Sequence, residues 1–209
     1  MASAEIRPSL YLRYSDGRIS AEAIYFLSDY DNMLGQCTSS SGSDCTIGDA
    51  FNGDAATVQG IELVFTTDLS RNGNHSTPVT FNYTYIDSKF DSDVADTAFF
   101  GDVSKGDPIP YIPEHQFNLS VGFLKNQWSS YINVNFVDEV CVRASCNAFE
   151  KTDNTLTVDL SAHYALSEKV DLYGKAENIT GEEDILGRHP YGARPNKDRT
   201  ATLGIRIDF

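Results

Sequence analysis

Cationic side chains able to grip an anionic group gather in one stretch, where Arg188, His189, Arg194 and Lys197 follow one another closely. Planar guanidinium forks match the paired oxygens of an anion such as a carboxylate, so this stretch is the first place to expect ligand contact. The competing reading is a charge-balanced loop, because Glu182, Glu183 and Asp184 stand just upstream. Asp87, Asp91, Asp93, Asp96 and Asp102 offer hard oxygen, and Asp91, Asp93 and Asp96 are weak Ca²⁺ candidates. Their spacing is not that of an EF-hand loop, which leaves solvation of an acidic loop as the simpler expectation. The four cysteines form two local pairs, Cys37 with Cys45 and Cys141 with Cys146. Both pairs lie in polar surroundings and suit loop-closing disulfides in an oxidising compartment, whereas zinc would call for C-x-x-C spacing or a nearby histidine. His75, His115, His163 and His189 show neither i, i+4 pairing nor a neighbouring nucleophile motif. No enzymatic site and no cofactor are therefore expected.

Composition narrows the setting of this chemistry. Thirty acidic residues against sixteen basic ones give 209 residues a formal charge of −14, and no basic stripe is present to neutralise a nucleic-acid backbone. No run of 18 or more apolar residues occurs, which excludes a transmembrane helix but leaves tilted strands of about 9 to 11 residues open. The first residues carry no basic segment followed by an apolar one, so an exported protein is expected to be represented only in part.

The elements that must position these residues are strands. Nine segments alternate at period two, among them Leu10, Leu12 and Tyr14; Ile61, Leu63 and Phe65; Phe117, Leu119, Val121 and Phe123; and Leu156 through Leu166. The last one places Ala201, Leu203, Ile205, Ile207 and Phe209 on one face. Connections alternate between expected turns of about two to four residues and long polar loops at about 28–55, 87–114, 138–154 and 179–198, a sorting typical of transmembrane barrels. Glu62, Asp159, Lys175, Glu177 and Arg206 fall on the polar face, where a hydrated or plugged lumen would accept them. Tyr14, Tyr25, Tyr83, Tyr85, Trp128, Phe136 and Tyr164 lie near strand ends, as interface girdles require. The expected fold class is all-β, an antiparallel transmembrane β-barrel contributing about nine meander strands.

Four stretches, Gly48 to Glu62, Phe99 to Gln116, Leu172 to Thr180 and Ala193 to Thr200 with the closing strand, resemble the carboxyl-terminal part of TonB-dependent outer-membrane receptors. The resemblance covers nearly the whole chain. The Cys37 loop and the 99–116 segment are similar to receptors grouped with the ferric-citrate type. The resemblance implies that residues 1–209 form the last nine strands of a 22-stranded barrel, embedded in lipid and lipopolysaccharide of a bacterial outer membrane, with the long loops outside. It also implies a ferric chelate as ligand, the TonB protein as energy source through a plug and earlier strands not represented here, and Phe209 as the signal read by the barrel assembly machinery. By itself the chain is then not expected to be a competent transporter. A passive pore or an adhesion barrel is the alternative.

Overall fold

The computed structural model describes residues 4–6, 10–36, 46–52, 54–70, 73–97, 101–188 and 192–208, with the backbone alone at 4–6, 34–36, 51–52 and 95–97. Nine strands form one antiparallel meander: β1 (Leu10–Ser15), β2 (Ile19–Tyr30), β3 (Ala56–Asp68), β4 (Pro78–Phe90), β5 (His115–Lys125), β6 (Trp128–Val137), β7 (Thr155–Ser167), β8 (Val170–Glu177) and β9 (Thr200–Ile207). Each strand pairs with the next, and the segment Ala4–Ile6 extends the β1 edge opposite Ser28–Tyr30. Among the described residues β1 and β9 are the two edges of the sheet.

Register turns the sequence alternation into two chemically distinct faces. One row runs Ala21, Phe65, Phe81, Leu119, Val134, Val158 across six strands, while the adjacent row on the other face runs Glu22, Val64, Asn82, Asn118, Asn135, Thr157. On the apolar face Leu12 is 59% exposed, Ile205 63% and Leu203 88%. A continuous apolar surface of this kind has no stable contact with water, so lipid is its solvent. On β5 the outward polar residues His115 and Lys125 bracket Phe117, Leu119, Val121 and Phe123. Ten residues at about 3.3 Å each, tilted by about 40°, give an apolar belt about 25 Å tall, matching a barrel's hydrocarbon span.

All nine expected strands are present, but three reach further than their apolar pattern. β2 runs to Tyr30, β3 begins at Ala56 and β4 ends at Phe90, so Ser28–Tyr30 and Asp87–Phe90 are strand rather than loop. Alternation stops where lipid stops, because above the belt both faces meet water, whereas backbone pairing continues. The β3–β4 connection corrects the short-turn expectation, since it spans 69–77. It is nonetheless pinned: Asp68 Oδ1 accepts the Ser70 and Thr77 amides at 2.8 and 2.9 Å, and Ser76 exchanges backbone hydrogen bonds with Leu124.

The long loops contain structure of their own. Short hairpins pair Leu34–Gln36 with Ala50–Asn52, Val94–Thr97 with Gly101–Val103, and Ile185–Gly187 with Arg194–Pro195, and a 3₁₀ turn covers Ala148–Glu150. A one-layer sheet between lipid and lumen has no interior, so the buried core lies under these loops. There Ala56 and Phe90, cross-strand partners fully shielded from solvent, pack with Val103, Ile109 and Ala144.

Candidate ligand-facing loop layer

Cys141 and Cys146 are joined by a disulfide, which closes the turn carrying Val142 and Ala144, both buried. Ala144 reaches the core around Phe90. The polar residues that follow the bridge build a rigid turn. Asn147 Oδ1 accepts the Phe149 amide at 2.9 Å, and Glu150 Oε2 accepts the Asn147 amide at 3.1 Å, a capping box on three residues. Phe149 projects from this turn 86% exposed.

The loop closed by the bridge is joined to two others. The Tyr111 amide donates to Cys141 O at 2.9 Å and Ser145 Oγ donates to Asp107, tying in the loop before β5. Cys141 also pairs antiparallel with Lys151. From there Arg188 Nε donates to Lys151 O, the Ile185 amide donates to Asp153 Oδ2 at 2.8 Å, and the Asp153 amide returns a bond to Ile185 O at 2.9 Å. The loop before β9 is anchored at its base by Asn178, nearly fully buried and at φ 50°, a conformation an asparagine tolerates. Its Nδ2 donates to Glu182 O and Lys197 O at 2.8 and 2.9 Å, its Oδ1 accepts the Glu182 amide, and its own amide donates to Asp159 Oδ1.

This geometry separates the cations that sequence groups together. Arg188 and Arg194 share one hairpin, with the exposed Arg194 guanidinium lying over Gly187, where a Cβ would stand 2.7 Å from Nη2. Lys197 is lower, its Nζ 2.7 Å from Glu177 Oε2 at the rim of β8, and Lys175 pairs with the other oxygen of the same carboxylate. His189 lies outside the described residues, as do Cys37, Cys45 and Phe209.

The aspartates diverge rather than converge. Asp87 pairs with Lys89 at 2.7 Å, Asp91 Oδ2 accepts Thr57 Oγ1 at 2.6 Å, and Asp93 Oδ1 accepts the Lys105 amide at 2.7 Å. The side chain of Asp96 is outside the description, and Asp102 lies on the 101–103 strand. Among the described residues no group of three or more His, Cys, Asp or Glu side chains gathers to hold a metal. Histidines 75, 115 and 163 each pack against an aromatic ring, Phe123, Tyr83 and Tyr173 respectively, far apart along the sheet.

Several partners of this layer carry no sequence signal. Asp153, Tyr111 and Lys151 are joined to residues about thirty positions away, beyond the reach of any periodicity argument. Arg199 was similarly hidden before the last strand. Its guanidinium lies over Gly181 beside a polar pocket of about 380 Å³ that Asn178, Glu182, Glu183 and Asp198 also line. A second depression of about 640 Å³, lined by Phe123, Ile132, Leu160 and Leu203, opens on the apolar face and belongs to lipid rather than to a polar ligand.

Comparison with known proteins agrees with this architecture. No curated protein sequence matches the chain closely enough to count as a relative. Among solved structures, the chain is similar to the ferric-catecholate import receptor Fiu from Escherichia coli K12, with a TM-score of 0.70 and 18% identity over 100% of this chain and 27% of that one. It is similar to the ferric yersiniabactin uptake receptor FyuA from Yersinia pestis, with a TM-score of 0.70 and 17% identity over 100% of this chain and 34% of that one. It is also similar to the copper transporter OprC, with a TM-score of 0.68 and 18% identity over 96% of this chain and 31% of that one. The chain thus spans about a third or less of these structures. A family profile described as TonB dependent receptor-like, beta-barrel, matches residues 9–179, from β1 through β8. The chain belongs to that family of receptor barrels, whose members are not enzymes.

Proposed function

We propose that the chain is part of an outer-membrane receptor that captures a ferric chelate at its loop end and imports it with energy delivered by the TonB protein. The observation that carries this reading is the hydrogen-bonded loop layer at one end of the sheet, with Arg188 and Arg194 on its outer hairpin. A passive pore or an adhesion barrel shares the lipid-facing belt, but neither requires loops joined to one another and armed with guanidinium groups.

The names of the similar structures support iron chelates as the first ligand class to try, and the copper transporter among them is a reason to test other metal cargo beside them. Of the expected cations Arg188, His189, Arg194 and Lys197, the exposed Arg194 is the direct anionic-ligand contact in this reading. The narrower assignment to ferric-citrate-type receptors rests on the Cys37 loop and the 99–116 segment. Lipid and lipopolysaccharide would surround the apolar belt. TonB would act through portions of the receptor outside this chain, and the barrel assembly machinery would read the carboxyl-terminal strand.

The test is growth of a strain lacking its other ferric receptors, with the full-length gene restored, on ferric citrate, ferric catecholates and ferric hydroxamates, each with and without TonB. Rescue by one class that disappears without TonB supports the proposal. Rescue that survives TonB deletion indicates a passive pore, and no rescue on any iron source removes the ferric reading.

A further inference from the structure

The loop that the disulfide closes stands between two others, and specific hydrogen bonds join it to each, beside the packing of Ala144 into the core. On one side Cys141 O holds the Tyr111 amide, and Ser145 holds Asp107 next to the Phe90 core. On the other side Cys141 pairs with Lys151, Lys151 O receives Arg188 Nε, and Asp153 binds both backbone groups of Ile185. Beyond Ile185 the hairpin partner is the Arg194–Pro195 strand, and Arg194 covers Gly187. The path from the loop before β5 to Arg194 is therefore continuous, and it passes through residues 141 and 151 to 153.

We propose that this path makes the three loops one mechanical unit, in which Asp153 and Arg188 are positioning residues that transmit the state of the disulfide-closed turn to the hairpin bearing Arg194. The assignment rests on the reading of these loops as ligand-facing only for its purpose. The coupling itself is a property of the chain without ligand.

Two discrete features favour transmission over independent loops. Among the described residues the 185–195 hairpin is small, pairing Ile185 with Pro195 and Gly187 with Arg194 above a base closed by the Asn196 amide on Asp184 O, so the outside bonds from Asp153 and Lys151 add to the order of a short ladder. The turn at 141–146 is anchored at the opposite end by burial of Val142 and Ala144, so any loosening of the bridge frees a segment that is packed at one end and hydrogen-bonded at the other. Arg188 thereby spends its Nε on Lys151 and acts on a ligand through Arg194.

Intermediacy in space is not coupling, and a double-mutant cycle decides the matter. In the intact receptor, without ligand, amide hydrogen exchange at Ile185 to Gly187 is measured for the parent, for Cys141→Ser/Cys146→Ser, for Asp153→Ala/Arg188→Ala, and for all four changes together. Removal of the bridge is expected to speed exchange at these amides by at least about fivefold, and to add nothing once Asp153 and Arg188 are gone. Asp153→Asn keeps an oxygen for the Ile185 amide and is expected to preserve the response, which guards against a merely unfolded loop. Unchanged exchange at 185–187 after bridge removal, or strictly additive effects, overturns the proposal and leaves the ferric-receptor reading standing.

Discussion

Tyr173 lies flat across its direct partner Gly204, so close that a Cβ on Gly204 would stand 2.3 Å from the ring Cζ. The same arrangement recurs twice on the polar face. Tyr131 covers Gly122, and Phe26 covers Gly60, each pair again in direct register. An aromatic laid over a neighbouring glycine shields bare backbone and keeps a large side chain against the wall instead of projecting into the lumen. Filling these sites therefore overpacks the wall, at about 1 to 3 kcal/mol each. Gly60→Ala is expected to cost more than Gly204→Ala, because a Cβ at 60 would also stand 2.3 Å from the backbone oxygen of Tyr85, which cannot swing aside as the Tyr173 ring can. Denaturation of the intact receptor, followed by its heat-dependent electrophoretic shift, ranks the two; the reverse order would refute the explanation.

Phe90 and Phe149 provide a matched contrast in the loop layer. Phe90 is fully buried and Phe149 almost fully exposed. Phe90→Ala should destabilise the loop layer by about 3 to 5 kcal/mol and expose the 91–114 segment to protease. Phe149→Ala should change stability by no more than about 0.5 kcal/mol. Equal protease resistance of the two variants would show that the core under the loops contributes little.

Reversing charge at the outer hairpin tests ligand contact separately from fold. Arg194→Glu leaves the buried core and the Asp153–Ile185 bonds in place, so expression and heat-dependent mobility should be retained while uptake of an anionic ferric chelate falls by about tenfold or more, the loss of one charge-assisted hydrogen bond. Uptake unchanged in both Arg194→Glu and Lys197→Glu would remove these cations from the ligand site.

Asp16 makes the β1–β2 turn sensitive to acid. Its Oδ1 accepts the Ile19 amide at 2.8 Å and the Arg18 amide at 3.0 Å, and those bonds, Ile19 first, hold its carboxyl below the ordinary carboxylate range. A depressed folded-state value means that the stabilisation is present at neutral pH and above the unfolded carboxylate value of about 3.9, and is lost as pH falls through the lower folded value. Exchange of the Ile19 amide should therefore stay slow down to about pH 4 and then quicken relative to Asp16→Asn. A loss of protection between pH 7 and pH 5 would point to another group.

Local pattern was enough to locate the wall of this barrel. Period-two alternation assigned Leu119 and Asn118 to opposite faces, loop length separated the two ends, and the short spacing of Cys141 and Cys146 identified the bridge that forms. Each of these follows from neighbours in sequence, because a strand's faces and a short disulfide loop are decided by a few consecutive residues. Strand ends were less legible: Asp29 and Asp87 break the apolar pattern yet stay paired, since hydrogen bonding does not end where lipid does. Tertiary structure alone decided that Phe26, Tyr131 and Tyr173 cover glycines, that Phe90 leaves the polar face for a core under the loops, and that Arg188 binds Lys151 while Lys197 binds Glu177. Those contacts depend on register and on loops folding across one another, and such pairings between distant segments leave no period in the sequence.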